Sequence, residues 1–445
     1  MIRLFRVFVP ASTFGLFVFE ALLILASFIF SAFLLLDVDP ADYLLNPPGI
    51  FSVALVWLSI LAGIHFQNLY SQVRVRSRLL LSQHLLMVAG FAFLLQALIS
   101  AVAPDLQVPL RVMLLGSLLS IAGILAGRLL FSAYVLPMVG GERLLLIGNS
   151  TLLEDIAGHL ARNPQMGIQV AGHIDGAASE AAGVSEANGA VQAGRLEDSI
   201  QAVHPNRVVV GFEGGLTPRL AHELLESRFS GQAIEDAAAT YEKICNREGL
   251  SGLNAVRLLY SKEFEPATRA LFFQAIGNWL MAAVLLIALS PLLLLIAALM
   301  RLSSGAGVFE RQVLEGRNGS FALCRFRVDA RGSRMGRILS RTGLYALPQF
   351  LHVLRGQMSI VGPRPDRPEF ARELSQHIPF YRHRLNVRPG ITGWSQIQMR
   401  HVPLPRESML ELEYDLYYIK YFSPMLDFFV ISQAIKNLLI WGGQP

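Results

Sequence analysis

An arginine held between two prolines is the group whose neighbours in the sequence most clearly suggest chemistry. In the run Gly362-Pro363-Arg364-Pro365, each proline ring locks its own φ angle and restricts the backbone around Arg364. A guanidinium presented in this way can bind the oxygens of a diphosphate with little loss of conformational entropy. The tetrapeptide alone fits a rigid turn with a solvated arginine about equally well, so other residues have to distinguish the two interpretations.

Further ordered blocks surround this turn. Arg325 and Arg327, on a predicted strand, suit phosphate or headgroup contact, although in isolation they fit ordinary surface charges equally well. The other blocks are Val308-Phe309-Glu310-Arg311-Gln312, Gly316-Arg317-Asn318-Gly319, Leu347-Pro348-Gln349, residues 353–359 and residues 388–396. Together they resemble the bacterial sugar transferases, monotopic phosphoglycosyl transferases that move a sugar 1-phosphate from a nucleotide sugar to polyprenyl phosphate. The resemblance runs from about Arg269 to the end of the chain.

The resemblance implies roles for individual residues. Arg364 is expected to bind phosphate, with Arg325, Arg327 and Gln349 also in contact with substrate. The expected substrates are a UDP-sugar and undecaprenyl phosphate, and the expected process is exopolysaccharide or O-antigen biosynthesis. Four N-terminal spans and a Rossmann-like middle domain resemble the long form of this family.

The resemblance also implies a catalytic Asp-Glu pair directly before the Leu347-Pro348-Gln349 motif. In the family, this aspartate forms a phosphosugar ester, and the pair helps to hold Mg2+. This chain has Tyr345 and Ala346 at those two positions, on a helix predicted to begin near Thr342. A tyrosine with a reference pKa near ~10 is mostly protonated at pH 7, and an alanine side chain cannot bind a metal ion.

Two hypotheses follow from this substitution. The first is a transferase that uses Tyr345 as its nucleophile, or Asp329 as a metal ligand, with Mg2+ implied by the family alone. The second is a catalytically silent member, a pseudoenzyme, that binds the lipid carrier, the nucleotide sugar or a partner in polysaccharide assembly. A homo-oligomer is a further expectation.

The chain must place these groups at a membrane. Of its 445 residues, 53% are hydrophobic and only 16% are charged, so part of the protein is expected to lie in lipid. Four apolar segments have the length of a transmembrane helix, at residues 14–36, 50–66, 85–102 and 112–136. Arginines before the first segment and between the second and third place the N-terminus in the cytoplasm, and Arg128 is expected to reach the interface by snorkelling.

Charge and cysteine content exclude other classes. The net charge of +5 fits contact with anionic headgroups or phosphorylated substrates, and the Lys and Arg residues form no run dense enough for nucleic-acid binding. Cys245 and Cys324 are far apart and lack metal-ligand spacing, so both are interpreted as packing residues.

Residues 140–262 show a strand and helix alternation that predicts a parallel, Rossmann-like sheet. The predicted strands are residues 143–148, 168–174 and 207–211, the predicted helices are residues 152–162 and 220–227, and residues 176–194 form a predicted loop. After the first strand, Gly148 lacks the further glycines of a dinucleotide site. Asn149 or Ser150 is therefore expected to cap the following helix.

A fifth apolar run, at about residues 276–300, contains Ser290 and Pro291 and is flanked by Arg269 and Arg301. The proline is expected to break or bend the helix, so that it enters the membrane and leaves on the same side; a full span is the alternative. The predicted organisation is a transmembrane anchor (1–139), the Rossmann-like domain (140–262) and an α/β sugar transferase domain with a re-entrant helix (263–445). The predicted location is the bacterial inner membrane, with the soluble domains cytoplasmic.

Overall fold

The chain folds into an apolar helical bundle, a small α/β sheet domain and a larger α/β region that carries a long apolar helix. A computed structural model describes residues 2–441 apart from 5–6, 10, 37–38, 68, 71–77, 136–141, 175–199, 201, 214, 254–262, 305–306, 329–333 and 400–405. The predicted membrane bundle and parallel α/β sheet are confirmed. The domain boundaries, and the loop predicted at residues 176–194, lie in segments outside the described residues.

Apolar helices form the N-terminal bundle, preceded by a short antiparallel pair, β1 (Ile2–Leu4) and β2 (Val7–Val9). The helices are α1 (Ala11–Leu35), α2 (Pro40–Leu45), α3 (Gly49–Phe66), α4 (Arg78–Val102) and α5 (Leu110–Leu130). Helices α3 and α5 each pack against both α1 and α4. By length and composition, α1, α3, α4 and α5 can each cross a membrane, which confirms the four predicted apolar segments. The short α2, capped by the Asp39 side chain, was not predicted.

A buried ion pair joins α1 to α5, and it overturns the prediction that Arg128 snorkels to the interface. Arg128 Nε lies 2.5 Å and Nη2 3.0 Å from the two carboxylate oxygens of Glu20, and Nη1 donates to the Leu69 carbonyl over 2.7 Å. Both charged side chains are 1% exposed. The two helices can approach closely because Gly127 has no side chain. A Cβ at this position would lie 2.6 Å from the Phe19 ring. Arg128 stays buried because an acidic partner lies opposite it.

Removing one member of this pair should destabilise the bundle more than removing both. Glu20→Gln or Arg128→Met leaves the other group buried without its partner, which typically costs about 3–5 kcal/mol. The double variant Glu20→Met/Arg128→Met should recover most of that loss. The free energy of unfolding of purified protein in mixed micelles measures the effect. Glu223→Gln, at the exposed Arg219–Glu223 pair, is the control and should cost less than about 1 kcal/mol; single variants no worse than this control would contradict the prediction.

The middle domain is built on a four-stranded parallel sheet in the order β4-β3-β5-β6. Its elements are β3 (Glu142–Ile147), α6 (Thr151–Arg162), β4 (Ile168–Ile174), β5 (Arg207–Val210), α7 (Pro218–Phe229), β6 (Ile234–Asp236) and α8 (Ala237–Cys245). The short β6 and α8 were not predicted. Ser150 Oγ accepts a hydrogen bond from Leu152 N, which confirms the predicted helix cap. Gly148 has φ +126°, and a Cβ there would lie 1.8 Å from the Gly211 carbonyl, so only glycine fits this turn.

The C-terminal region combines the long helix α9 (Thr268–Ser304) with an antiparallel hairpin, a short parallel strand pair and several helices. The hairpin is β7 (Phe309–Gly316) and β8 (Gly319–Phe326), and the parallel pair is β9 (Ser359–Val361) and β10 (Gly390–Thr392). The helices are α10 (Arg334–Thr342), α11 (Phe350–Leu354), α12 (Pro368–His377), α13 (Trp394–Gln398), α14 (Arg406–Lys420) and α15 (Pro424–Trp441). Cys245 is buried and Cys324 half-buried, and both are free thiols.

Helix α9 continues through Pro291 as a single helix of 37 residues, so of the two expected effects of Pro291 the break does not occur, and the bend stays a prediction. Pro291 has no backbone N–H to offer the Ile287 carbonyl four residues earlier. Ser290 Oγ donates to that carbonyl over 2.8 Å, and the freed acceptor is satisfied. Both parts of the helix contact the same region: Ala282 packs in the main core of the C-terminal region, while Met300 packs against the hairpin.

Candidate active site

The backbone around Arg364 is held by two interlocked loops. Gly362 N donates to Thr392 O and Gly390 N donates to Pro363 O, each over 2.9 Å. A Cβ at Gly362 would lie 2.3 Å from the Arg388 carbonyl, so no larger residue fits there. Pro363 is buried, whereas Arg364 is exposed. The predicted proline turn therefore has a rigid base that presents one guanidinium to solvent.

A buried arginine, Arg384, supports the Arg364 turn through hydrogen bonds on its buried side. Its Nη2 donates to the Arg364 carbonyl over 3.1 Å and to Glu411 Oε1 over 3.0 Å, and its Nη1 donates to Asp366 Oδ2 over 2.6 Å. Nη2 also lies 2.7 Å from Asp415 Oδ2, and the Arg384 side chain is 3% exposed. One guanidinium thus ties the turn to α14. Burial raises the pKa of Asp415 to about 7, although Arg384 acts in the opposite direction. Sequence reasoning missed Arg384 because its partners are distant in sequence.

Helix α9 is attached to the same turn through Gln274. The Gln274 side-chain amide donates to Asp427 Oδ2 over 2.7 Å, to Tyr418 Oη over 3.0 Å and to the Val361 carbonyl over 3.4 Å. Val361 ends β9 directly before the Arg364 turn. Burial raises the pKa of Asp427 to about 6, while its hydrogen bonds from Tyr418 and Gln274 lower it. A membrane-associated helix is therefore hydrogen-bonded to the strand that leads into the candidate phosphate site.

The predicted basic pair lies at the open end of the β7–β8 hairpin. Arg325 is on β8, as predicted, and its Nη2 lies 3.2 Å from Glu310 Oε1 on the facing strand. Arg327 follows the strand, and its side chain is exposed. Because Glu310 already offsets part of the charge of Arg325, Arg327 is the better placed of the two to attract an anion.

Arg364 lies at the opposite end of that hairpin. Glu315 N donates to Asp366 O over 2.8 Å, and Glu315 pairs across the hairpin with Ser320. The five residue steps along the strand from Ser320 to Arg325 span roughly 17 Å. The structure therefore does not place Arg325 beside Arg364 as parts of one compact anion site.

Tyr345 and Ala346 lie in a 3-10 turn (Leu344–Gln349) that continues directly into α11, so the helix predicted to begin near Thr342 begins at Leu344. Helix α10 ends at Thr342, because Gly343 adopts a left-handed φ of 70°. The half-buried Tyr345 packs against an apolar cluster formed by the end of α9, the hairpin and α10, which contains Ile296, Met300, Phe326 and Leu339. Gln349, also half-buried, ends the turn. These contacts give Tyr345 a packing role.

A buried histidine fixes the segment that follows this turn. His352 Nε2 accepts a hydrogen bond from Cys324 N over 3.0 Å, and its Nδ1 lies 2.8 Å from Gln357 Oε1. Because Nε2 accepts from a backbone N–H, Nδ1 carries the ring hydrogen and donates to the Gln357 amide oxygen. His352 thereby attaches α11 to β8.

The carboxylates that the family resemblance implies for Mg2+ are absent at positions 345 and 346. Within the described ranges, no group of three or more His, Cys, Asp or Glu side chains is placed to hold a metal. Tyr345 and Ala346 offer no carboxylate where the family resemblance implies two, and Mg2+ prefers carboxylate oxygens. Asp329 lies outside the described residues, so its role stays a prediction. Positions 345 and 346 therefore do not supply the implied Mg2+ ligands, and no catalytic step is assigned to a metal.

Comparisons with known proteins find a family and several relatives. A family model described as "Bacterial sugar transferase" matches residues 269–440. The UDP-N-acetylgalactosamine-undecaprenyl-phosphate N-acetylgalactosaminephosphotransferase of Aeromonas hydrophila is 35% identical over 37% of this chain and 43% of its own length. The UDP-glucose:undecaprenyl-phosphate glucose-1-phosphate transferase of Escherichia coli (strain K12) is 31% identical over 50% of this chain and 52% of its own. The chain thus spans about half of the length of these relatives.

A shorter relative is covered almost completely. The uncharacterized sugar transferase EpsL of Bacillus subtilis (strain 168) is 33% identical over 36% of this chain and 85% of its own length. The residues that the family model matches, 269–440, contain the Arg364 turn, the hairpin and all but the first residue of α9.

The buried carboxyl of Asp427 makes stability depend on pH. Its pKa is raised from 3.8 to about 6 in the folded protein, so between these values the folded state binds more protons than the unfolded state. The free energy of unfolding should therefore fall as pH rises from about 4 to just above 6, by about 3 kcal/mol. The Asp427→Asn variant should lose this part of the pH dependence of the free energy of unfolding and keep the part that is due to Asp415. Equal slopes for the wild type and Asp427→Asn, measured by denaturation from pH 4 to 8, would contradict the assignment.

Proposed function

This chain belongs to the bacterial sugar transferase family, and on that premise we propose that it transfers a sugar 1-phosphate from a nucleotide sugar to polyprenyl phosphate. The proposed donor is a UDP-sugar and the proposed acceptor is undecaprenyl phosphate, the substrates in the names of the relatives from Aeromonas hydrophila and Escherichia coli. The proposed process is exopolysaccharide or O-antigen synthesis. The observation that carries the proposal is the exposed Arg364 on its interlocked, buried turn.

In this reaction the bond between the β-phosphorus of the donor and its bridging oxygen breaks, and a nucleoside monophosphate leaves. A new bond forms between that phosphorus and an oxygen of the acceptor phosphate, directly or through a group on the protein. Arg364 binds the diphosphate and offsets the charge that develops on the leaving oxygen. Arg384 keeps the Arg364 backbone in place through its hydrogen bond to that carbonyl. Arg327 and Arg325, at the other end of the hairpin, are suited to anionic headgroups.

The membrane placement of α9 supports the same function. Val284 and Ile287, in the middle of the helix, are 64% and 75% exposed, so this segment belongs in lipid. The parts before and after it contact one α/β region, which favours a helix that enters and leaves on one side. We place the N-terminus and both soluble domains on the cytoplasmic side of the bacterial inner membrane, because of the arginines around the first spans.

Tyr345 and Ala346 favour a second candidate function, a catalytically silent binder of lipid carrier, nucleotide sugar or an assembly partner. The residues in the place of the Asp-Glu pair provide neither carboxylate, and Tyr345 packs among apolar side chains. Such a protein keeps the Arg364 turn and binds the diphosphate without transfer. A homo-oligomer is compatible with either function.

Transfer of labelled sugar phosphate tests the main proposal. Membranes that contain only this chain are supplied with UDP-glucose or UDP-N-acetylgalactosamine and undecaprenyl phosphate, and the lipid-linked product is counted. The wild type should form product, and Arg364→Gln should reduce the rate about 30- to 100-fold, because a charge-assisted bidentate contact is lost. The control Arg367→Gln changes an exposed arginine three residues away, and its rate should stay within about twofold.

A Tyr345→Phe variant in the same assay separates the roles of that side chain. The variant keeps the packed ring and loses the hydroxyl, so transfer should stay within about twofold if Tyr345 is a packing residue. Complete loss would identify the phenol as the nucleophile. Absence of product from the wild type with every UDP-sugar tried would reject the transferase in favour of the silent binder.

A further inference from the structure

The middle domain is joined to the sugar transferase region by a buried polar interface. Lys420 Nζ on α14 lies 2.7 Å from Glu242 Oε2 and 2.8 Å from Glu248 Oε2. Tyr241 Oη donates to Glu413 Oε2 over 2.8 Å. The Lys420, Glu242 and Glu248 side chains are each less than 10% exposed. These buried ion pairs fix the position of the middle domain relative to the sugar transferase region. Moving the two regions apart would leave buried charges without partners.

One residue of this interface contacts the loop system of the candidate site. Asn246 caps the end of α8 in the left-handed conformation, with φ 52° and ψ 41°. Its backbone carbonyl accepts a hydrogen bond from Trp394 Nε1 over 3.1 Å, and its side-chain oxygen accepts one from Tyr417 Oη over 3.3 Å. The Trp394 side chain is 1% exposed, and its ring stacks on Tyr417 with centroids 5.8 Å apart.

Trp394 is directly connected to the Arg364 turn. It follows Gly393, where a Cβ would lie 2.4 Å from the Gly362 carbonyl. Thr392, one residue earlier, accepts the hydrogen bond from Gly362 N. A shift of the Trp394 indole therefore moves the backbone on which Gly362 and the turn rest.

We propose that Asn246 of the middle domain is a positioning residue for Arg364: its left-handed carbonyl holds Trp394, and Trp394 holds the loop that fixes the phosphate-binding turn. The consequence for catalysis rests on the proposed function, whereas the consequence for the turn itself does not. The middle domain then contributes to the position of the Arg364 turn. Any event that displaces the end of α8 would make this turn more mobile.

Two substitutions at one position test this inference in the full-length protein in nanodiscs. Asn246→Gly keeps the left-handed backbone and loses the side chain, whereas Asn246→Val loses the same contact to Tyr417 and strongly disfavours φ 52°. Hydrogen exchange of the Gly362 and Gly390 amides reports the turn without substrate. Exchange should be about tenfold faster in Asn246→Val and within about twofold of wild type in Asn246→Gly. Equal exchange in the two variants would overturn the proposal.

Amides of β3 (Glu142–Ile147) show whether the middle domain itself stays folded in Asn246→Val. If they also lose protection, Trp394→Phe decides instead, because it removes the indole donor and leaves the Asn246 backbone unchanged. Faster exchange of Gly362 in Trp394→Phe supports the inference, and unchanged exchange rejects it.

The transfer assay addresses the catalytic consequence. Asn246→Val should raise the KM for the UDP-sugar several-fold more than it lowers kcat, because a mobile Arg364 turn binds the diphosphate less well. Asn246→Gly should restore both values. An equal KM in the two variants would reject the catalytic role of Asn246. If the wild type makes no product, the proposed function fails, while the exchange experiment still decides whether Asn246 positions the turn.

Discussion

The structure depends on one constraint: an apolar helix, α9, whose exposed middle we propose to lie in lipid, while its two parts on either side pack against the same α/β region. Gln274, near its start, is hydrogen-bonded to Val361 and Asp427, and Met300, near its end, packs against the hairpin. In this proposal, α9 both packs against the α/β region and contacts lipid. The Arg364 turn follows directly on the strand that Gln274 contacts, so the proposed placement of α9 in the membrane would set the depth of the candidate site.

Three attachments converge on that turn. From the membrane side, Gln274 contacts the end of β9. From within the C-terminal region, Arg384 holds the Arg364 carbonyl with a guanidinium that also neutralises carboxylates of Asp366 and α14. From the middle domain, Asn246 holds Trp394. A guanidinium that binds a diphosphate gains from such rigidity, because less conformational entropy is lost when the ligand arrives. Tyr345, where the family resemblance implies an aspartate, lies apart from these attachments in an apolar cluster.

Features coded by local periodicity could be predicted, whereas those that join distant residues could not. The apolar helices and the strands β3, β4 and β5 of the middle domain follow from spacing alone, whereas the short β6 does not. The ion pair of Glu20 with Arg128 joins residues on α1 and α5, so neither charge in isolation revealed its partner, and Arg128 was assigned to the interface. The continuation of α9 through Pro291 rests on a local hydrogen bond from Ser290 that the rule for prolines in helices omits.

The side of the membrane on which each end of α9 lies is the most direct test of this account. Single cysteines replace Arg269 or Arg301, in a chain whose native cysteines are changed to alanine, and a membrane-impermeant maleimide is added to intact cells and to inverted vesicles. A cysteine at Asp105, between α4 and α5, is the control for the outer face. The account predicts that residues 269 and 301 both react in inverted vesicles and not in intact cells. Reaction of one end in intact cells and of the other in inverted vesicles would mean that α9 spans the bilayer and would contradict it.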